Sequence, residues 1–288
     1  MMKKILVPTD FSSCAVNALN VAVQTAKLCS LEINLLHVVD RTDNLYIERV
    51  DIAKEKHSVI LEEVQAKLDA VKSSISETES LEIRTFLREG DVDENILELC
   101  EEKGIDMIMM GTFGVNGLKD RIWGSKTAAL TGKTSVPVMV IPYEYDWKPP
   151  RKILLATNFF EDDQAVLQPV IDLANAFEAT LYAAIFTDKD KADPSVYMEH
   201  GMNMLDYEKI LKKRFNSESV ITCQLAGDKF EDTMQEYIRN NDIDVLTMIT
   251  YQRSLWDRIF KPSATRRMSY QTTIPLLIIP AIKSFEED

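Results

Sequence analysis

The chain has 288 residues, more than most single cores hold and suited to two domains at about 100–200 residues each. With 45% hydrophobic and 27% charged residues, each half has the apolar material for its own core, which excludes a wholly disordered chain. A formal net charge of −13 repels polyanions, so non-specific binding to nucleic acid or to an anionic membrane is excluded as a function class.

At the start, Ile5-Leu6-Val7 is an apolar run far shorter than the ~7–15 residues of a signal-peptide core. No later run approaches the ~20 residues of a membrane span, and the expected compartment is the cytoplasm. In chain order, Ile5 to Val7, Ile33 to Val39, Ile83 to Leu87, Met107 to Met110 and Val138 to Ile141 are short apolar runs bounded by turn residues or charge, and predict buried strands. Between them Ala15, Leu19, Val23 and Ala26, then Ile96, Leu97 and Cys100, recur at helical spacing. Val50 to Ser73 predicts a long amphipathic helix with a solvated charged face. Strict alternation of strand and helix requires crossover connections, hence an α/β fold with a parallel sheet and helices on both faces.

The pattern then repeats. Lys3-Lys4-Ile5-Leu6 returns as Arg151-Lys152-Ile153-Leu154, each followed by Thr and then Asp or Asn. Gly90-Asp91 returns as Gly227-Asp228, Ile105-Asp106 as Ile243-Asp244, and Asp120-Arg121-Ile122 as Asp257-Arg258-Ile259. Val136-Pro137 with Ile141-Pro142 recurs as Ile274-Pro275 with Ile279-Pro280. The offset shortens only between the second strand and Gly227, so the second copy is a full repeat with one shorter connection, 189–218 against 41–80. The paired prolines Pro149-Pro150 favour an extended linker. The expected organisation is a first domain over 1–145, a linker over 146–150 and a second domain over 151–288.

After the fourth strand comes Gly111-Thr112-Phe113-Gly114, with nine residues between Gly114 and Gly124-Ser125 and a helix predicted from Ser125 to about Thr134. Glycines let backbone approach a ligand closely, and Ser125 would cap a helix whose free amides favour an anion, so this is phosphate chemistry. The same glycines could serve only as turns. Asp10 weighs towards a ligand, because it follows the first strand at the carboxyl end of an open α/β sheet, where ligands bind and where a short acid can accept from a ribose.

Val7-Pro8-Thr9-Asp10-Phe11-Ser12, Leu36-His37-Val38-Val39-Asp40, and Met110-Gly111 through Gly114 to Gly124-Ser125 together resemble the ATP-binding branch of the universal stress protein family. Its pattern of glycine, two residues, glycine, nine residues, glycine and then serine or threonine is met in full, and the resemblance covers the first copy and, without the glycines, the second. It implies a five-stranded parallel fold of the adenine-nucleotide α-hydrolase-like, Rossmann-like group in each copy, and commonly dimers. Residue by residue, it implies that Pro8, Thr9 and Asp10 line the adenosine side with Asp10 nearest the ribose, and that Val38 holds adenine through its backbone. Gly111, Gly114, Gly124, Ser125, Lys126 and Thr127 would hold the triphosphate, and Met110, just before Gly111, belongs to the same binding set. The implied ligand is ATP, or ADP or AMP, with Mg2+.

In the second copy Asp10 is replaced by Asn158, Gly111 by Ile249, Gly114 by Gln252, and Gly124 by Lys261 or Pro262. Side chains there would occupy phosphate space, so this copy is a degenerate domain with a structural or regulatory role. Its loop carries Arg253, Arg258, Lys261, Arg266 and Arg267, a basic run that reads as solvated surface.

Other signals carry no chemistry. Gly132-Lys133-Thr134 lacks the earlier glycine of a phosphate-binding Walker motif, since Thr127 stands there. Cys14, Cys29, Cys100 and Cys223 are spaced as buried free thiols, and His37, His57 and His200 lack metal-ligand spacing, His37 reading as a strand-core residue. The expected function is a nucleotide-dependent stress-response or regulatory module acting through the first domain, as a homodimer or an internal pseudo-dimer with protein partners. Enzyme activity is not required. The rivals are a slow ATPase or phosphotransfer enzyme, for which no base is evident, and a nucleotide-free interaction scaffold.

Overall fold

Short apolar runs separated by amphipathic stretches bury themselves best as strands covered by helices, and the chain follows that order in each half. The computed structural model describes residues 2–39, 50–79, 81–112, 130, 132–157, 160–190, 192–215, 218–250 and 273–281. Among them, 2–143 form one compact unit and 144–281 another.

The first unit runs β1 (Lys4–Pro8), α1 (Ser13–Cys29), β2 (Glu32–Val39), α2 (Val50–Glu79), β3 (Ile83–Glu89), α3 (Val92–Lys103), β4 (Met107–Gly111) and β5 (Val138–Ile141). Its strands lie in the order β3-β2-β1-β4-β5, all parallel, with Val7 opposite Leu35 and Ile108 opposite Val138. Steps from β1 to β3 run one way across the sheet and the step to β4 runs back. Right-handed crossovers therefore place α1 and α2 on one face and α3 on the other. Ile5, Leu6 and Val7 have no exposed surface, and α1 lays Ala15, Ala18, Leu19, Ala22 and Ala26 onto the sheet.

The second unit runs β6 (Lys152–Thr157), α4 (Gln164–Ala176), β7 (Thr180–Asp188), α5 (Pro194–Phe215), β8 (Val220–Gly227), α6 (Phe230–Asn241), β9 (Val245–Thr250) and β10 (Leu276–Pro280). The strand order is β8-β7-β6-β9-β10, again all parallel, so the two units share one topology. They share details too. Left-handed backbone follows α1 at Ser30 and α4 at Glu178, and follows α3 at Gly104 and α6 at Asp242.

Several sequence expectations shift at their edges. The helix expected over Val50 to Ser73 continues to Glu79. The helix expected from Ser125 lies outside the described residues except at Leu130, which is helical. The thiols are not uniformly buried: Cys14 and Cys100 are, while Cys29, the last residue of α1, and Cys223, on the end strand β8, are half-buried. Burial, aided by Glu101, pushes the Cys100 thiol up to about 12, which leaves it unreactive.

One device recurs at the start of each unit. Asp106 Oδ2 accepts from the backbone amides of Lys3 and Lys4 at 2.7 and 2.9 Å, and Asp244 Oδ2 accepts from those of Arg151 and Lys152 at 2.7 and 3.0 Å. The clamps differ in burial, since Asp106 is exposed while Asp244 is buried and also pairs with Lys148 Nζ at 2.6 Å. Burial alone would raise the Asp244 carboxyl, but the hydrogen bonds from Lys148, Arg151 and Lys152 outweigh it and hold it below the ordinary carboxylate range. A depressed folded-state pKa gives stability that is present above the unfolded value and lost as pH falls through the folded one. Asp244→Ala leaves two amides without their acceptor and should cost about 2–4 kcal/mol. Calorimetry at neutral pH should show Asp244→Ala lowering one unfolding transition clearly more than Asp106→Ala does, and the gap should close in acid. Equal losses at neutral pH would contradict the burial difference.

Candidate functional site

The strand order changes direction at β1, which has β2 on one side and β4 on the other. An open parallel sheet binds ligands at the carboxyl ends flanking such a point. Pro8 ends β1 opposite Leu36, and Thr9 continues the pairing by donating its amide to Leu36 O at 2.8 Å. The next turn is built from its own side chains: Phe11 N donates to Thr9 Oγ1 at 3.0 Å, Ser12 N to Asp10 Oδ1 at 3.0 Å, and Ala15 N to the α1 cap Ser12 Oγ at 3.3 Å. Phe11 takes left-handed backbone with φ of 60°. Short polar side chains that bond two residues on stabilise such turns, and here they hold Asp10 half-buried at the carboxyl end of the sheet.

β2 extends past its last partner on β1. Backbone groups of a strand alternate sides with period two, and Leu36 O faces β1, so the N–H and C=O of Val38 face that same side beyond the end of β1. Val39 faces the other way and accepts from Gly90 N at 3.0 Å. Val38 is half-buried.

On the other flank, Met110 is half-buried and Gly111 ends β4 opposite Ile141. A Cβ on Gly111 would lie 2.7 Å from Cys14 O and 2.9 Å from Cys14 C, so this glycine is required where β4 passes under the first turn of α1. Thr112 donates its amide to Ile141 O at 3.2 Å, and among the described residues its buried hydroxyl has no hydrogen-bond partner. The structure thus brings together Pro8, Thr9, Asp10, Val38, Met110 and Gly111 at the carboxyl edge. Gly114, Gly124, Ser125, Lys126 and Thr127 lie outside the described residues, as do Asn158 and the whole basic run of the second copy.

Sequence reasoning passed over three residues that shape the site. His37, expected only as strand core, approaches Thr9 O through Nδ1 at 2.7 Å, and because a carbonyl only accepts, Nδ1 carries the proton. Burial lowers its pKa, outweighing the raising effects of the Thr9 carbonyl and Asp10, which favours the neutral ring. Phe11 stacks on that ring at 4.8 Å, and Lys67 Nζ of α2 lies 5.8 Å from the Phe11 centroid. Thr9 and His37 are 28 residues apart, and nothing in a single sequence marks such a pair.

The corresponding region of the second unit is built differently. At the offset that aligns β1 with β6, Ser12 falls on Phe160, yet the α4 cap is Asp163, so the helix begins three residues later. At the end of β9 Ile249 stands in place of Gly111 and is buried. Glu161 is buried, accepts from Asp163 N at 2.7 Å, and receives the Tyr207 hydroxyl on its carbonyl at 2.6 Å. Phe160 packs edge-on against His200 and Tyr207 of α5, and His200 Nδ1 lies 2.9 Å from Thr187 Oγ1. Phe186 occupies the position of Val38 and packs edge-on against Phe230.

The sequence profile of the universal stress protein family matches residues 1–142 and again 150–280. The chain belongs to the universal stress protein family. It carries two family repeats in tandem, and single-repeat relatives align with about half of it. Universal stress protein MJ0577 of Methanocaldococcus jannaschii is 30% identical over 155 residues, which are 49% of this chain and 95% of that protein. Universal stress protein YxiE of Bacillus subtilis is 29% identical over 149 residues, 49% of this chain and 99% of that one. A crystal structure of a universal stress protein from Archaeoglobus fulgidus shares the fold over 96% of this chain and 98% of its own, with a TM-score of 0.70 at 15% identity.

Proposed function

We propose that this tandem universal stress protein binds one adenine nucleotide, in its first repeat, and acts as a nucleotide-dependent regulatory module in the cytoplasm. The observation that carries the reading is the contrast at one topological place. In the first repeat the Asp10 turn, the outward edge of Val38 and Gly111 meet at the carboxyl edge. In the second, Phe160 packs against both Tyr207 and His200 there.

The donor set suits the ligand. The paired N–H and C=O of one strand residue match the donor and acceptor on an adenine edge, and a carboxylate beside them supplies acceptor oxygens of the kind a ribose hydroxyl donates to. The glycine pattern from Gly111 to Ser125 supplies the phosphate side in this reading. Mg2+ would arrive on the phosphates, since it binds through one or two carboxylates plus phosphate oxygens, and no described trio of His, Cys, Asp or Glu is placed to hold a metal.

Isothermal titration of the full chain with Mg-ATP tests this directly. The expected stoichiometry is one nucleotide per chain. A value near two would overturn the assignment of the second repeat, and no binding of ATP, ADP or AMP would leave the first repeat a scaffold whose glycines are only turns.

A further inference from the structure

Two kinds of side chain compete for a peroxide, the cysteine thiolate and the methionine thioether. The four thiols are poorly placed for this chemistry. Cys14 and Cys100 are buried, and Cys100 is unreactive for that reason. Burial also raises the pKa of half-buried Cys29, and raises that of Cys223 against an opposing hydrogen bond with Tyr237. A thiol held above its ordinary range presents little of the nucleophilic anion at neutral pH.

A thioether has no proton to lose, so its reactivity follows access. Met107, Met139, Met204, Met234 and Met248 keep 8% or less of their surfaces exposed. Met198 and Met202 expose 67% and 78%, and among the described residues no other methionine is exposed. They stand four residues apart on α5, hence on one face, opposite the side that buries Met204, Tyr207 and Leu211. That inner side fastens the helix. The Tyr207 hydroxyl donates to Glu161 O at 2.6 Å, Glu208 accepts from Thr222 N at 2.9 Å, and Gln224 Nε2 donates to Tyr197 O at 2.6 Å. None of these contacts uses Met198 or Met202, so both sulfurs can change without loosening α5.

We propose that Met198 and Met202 form a peroxide-reactive modification site, reversibly oxidised to methionine sulfoxide on the outer face of α5. In each reaction the sulfur lone pair attacks one oxygen of hydrogen peroxide, an S–O bond forms and the O–O bond breaks. The departing hydroxide takes the proton left on the transferred oxygen and leaves as water. Sulfur loses two electrons and the peroxide gains them. Methionine sulfoxide reductases restore the thioether with two thiols, which become a disulfide while the oxygen leaves as water. Each sulfoxide is polar where the thioether was apolar, so the exposed row of Met198, Met202 and Leu205 changes character while the fold is kept. The site is independent of the nucleotide reading, since it lies wholly on the second repeat.

The test treats the full chain with limiting hydrogen peroxide at neutral pH, quenches with catalase at intervals, and locates the added oxygen by peptide mass spectrometry. Met198 and Met202 should each gain one oxygen about tenfold faster than Met204, Met234 and Met248, and before any cysteine is oxidised. The melting temperature should stay within about 2 °C, and methionine sulfoxide reductases A and B should remove both oxygens. Oxidised wild type should elute earlier from a hydrophobic-interaction column, whereas a chain carrying both Met198→Leu and Met202→Leu should elute alike before and after peroxide. Oxidation of Met204 or Cys223 as fast as Met202 would overturn the proposal. So would a column shift that persists in the double variant, or a melting temperature that falls in step with oxidation.

Discussion

Gly111→Val should destabilise the first repeat by about 3 kcal/mol or more, measured without nucleotide as the loss of one unfolding transition in calorimetry or urea titration. The reason lies in what the added carbon meets. A Cβ would approach the carbonyl oxygen of Cys14 to 2.7 Å and its carbon to 2.9 Å, both backbone atoms in the first turn of a packed helix. A flexible side chain could swing aside, but α1 is fixed by its Ser12 cap and by Ala15, Ala18 and Ala22 on the sheet, so relief requires moving the whole helix start. Gly111→Ala should already cost a large part of this, since the clash begins at Cβ. A change under about 0.5 kcal/mol for both variants would show that the helix start yields, and would return the glycine wholly to the ligand.

Gly111 also shows where sequence reading stops. Its place in a glycine pattern marks it for phosphate, and only the geometry adds that β4 passes under α1 there. The second repeat has Ile249 there, and its α4 starts three residues later than the repeat places it, a shift with no signal in the repeat offsets, which agree on both sides of it. What the sequence does carry is what depends on period and punctuation. The apolar runs became β1 to β5 nearly at their expected bounds, and the recurrence of Ile105-Asp106 as Ile243-Asp244 predicted two units with one topology. The same pair turned out to be the clamp on the first strand of each unit. Val38 was placed by resemblance alone, and its physical reason appears only in the register, because β1 stops at Pro8 while β2 continues. The Thr9–His37–Phe11 cluster joins two strand ends, and no local pattern specifies which histidine meets which carbonyl.

The second large effect is expected at Asp10, where two substitutions separate the fold of the turn from recognition of the ligand. Asp10→Ala removes both the ribose acceptor of the proposed site and the Oδ1 that holds Ser12 N. It should weaken ATP binding by about 1–3 kcal/mol, roughly tenfold to a hundredfold, and should also cost the empty protein about 1 kcal/mol through the turn. Asp10→Asn keeps an Oδ1 for Ser12 and so keeps the turn, and the melting temperature without nucleotide should stay near that of the wild type. It loses the charge, however, and with it the stronger form of the hydrogen bond, so its affinity for ATP should fall by about tenfold. The second repeat bears Asn158 at this position. Titration calorimetry gives the affinities and thermal unfolding gives the turn, so the two losses are read independently. If both variants bind ATP as tightly as the wild type while Asp10→Ala alone melts lower, Asp10 is a turn residue only, and the nucleotide lies elsewhere or is not bound.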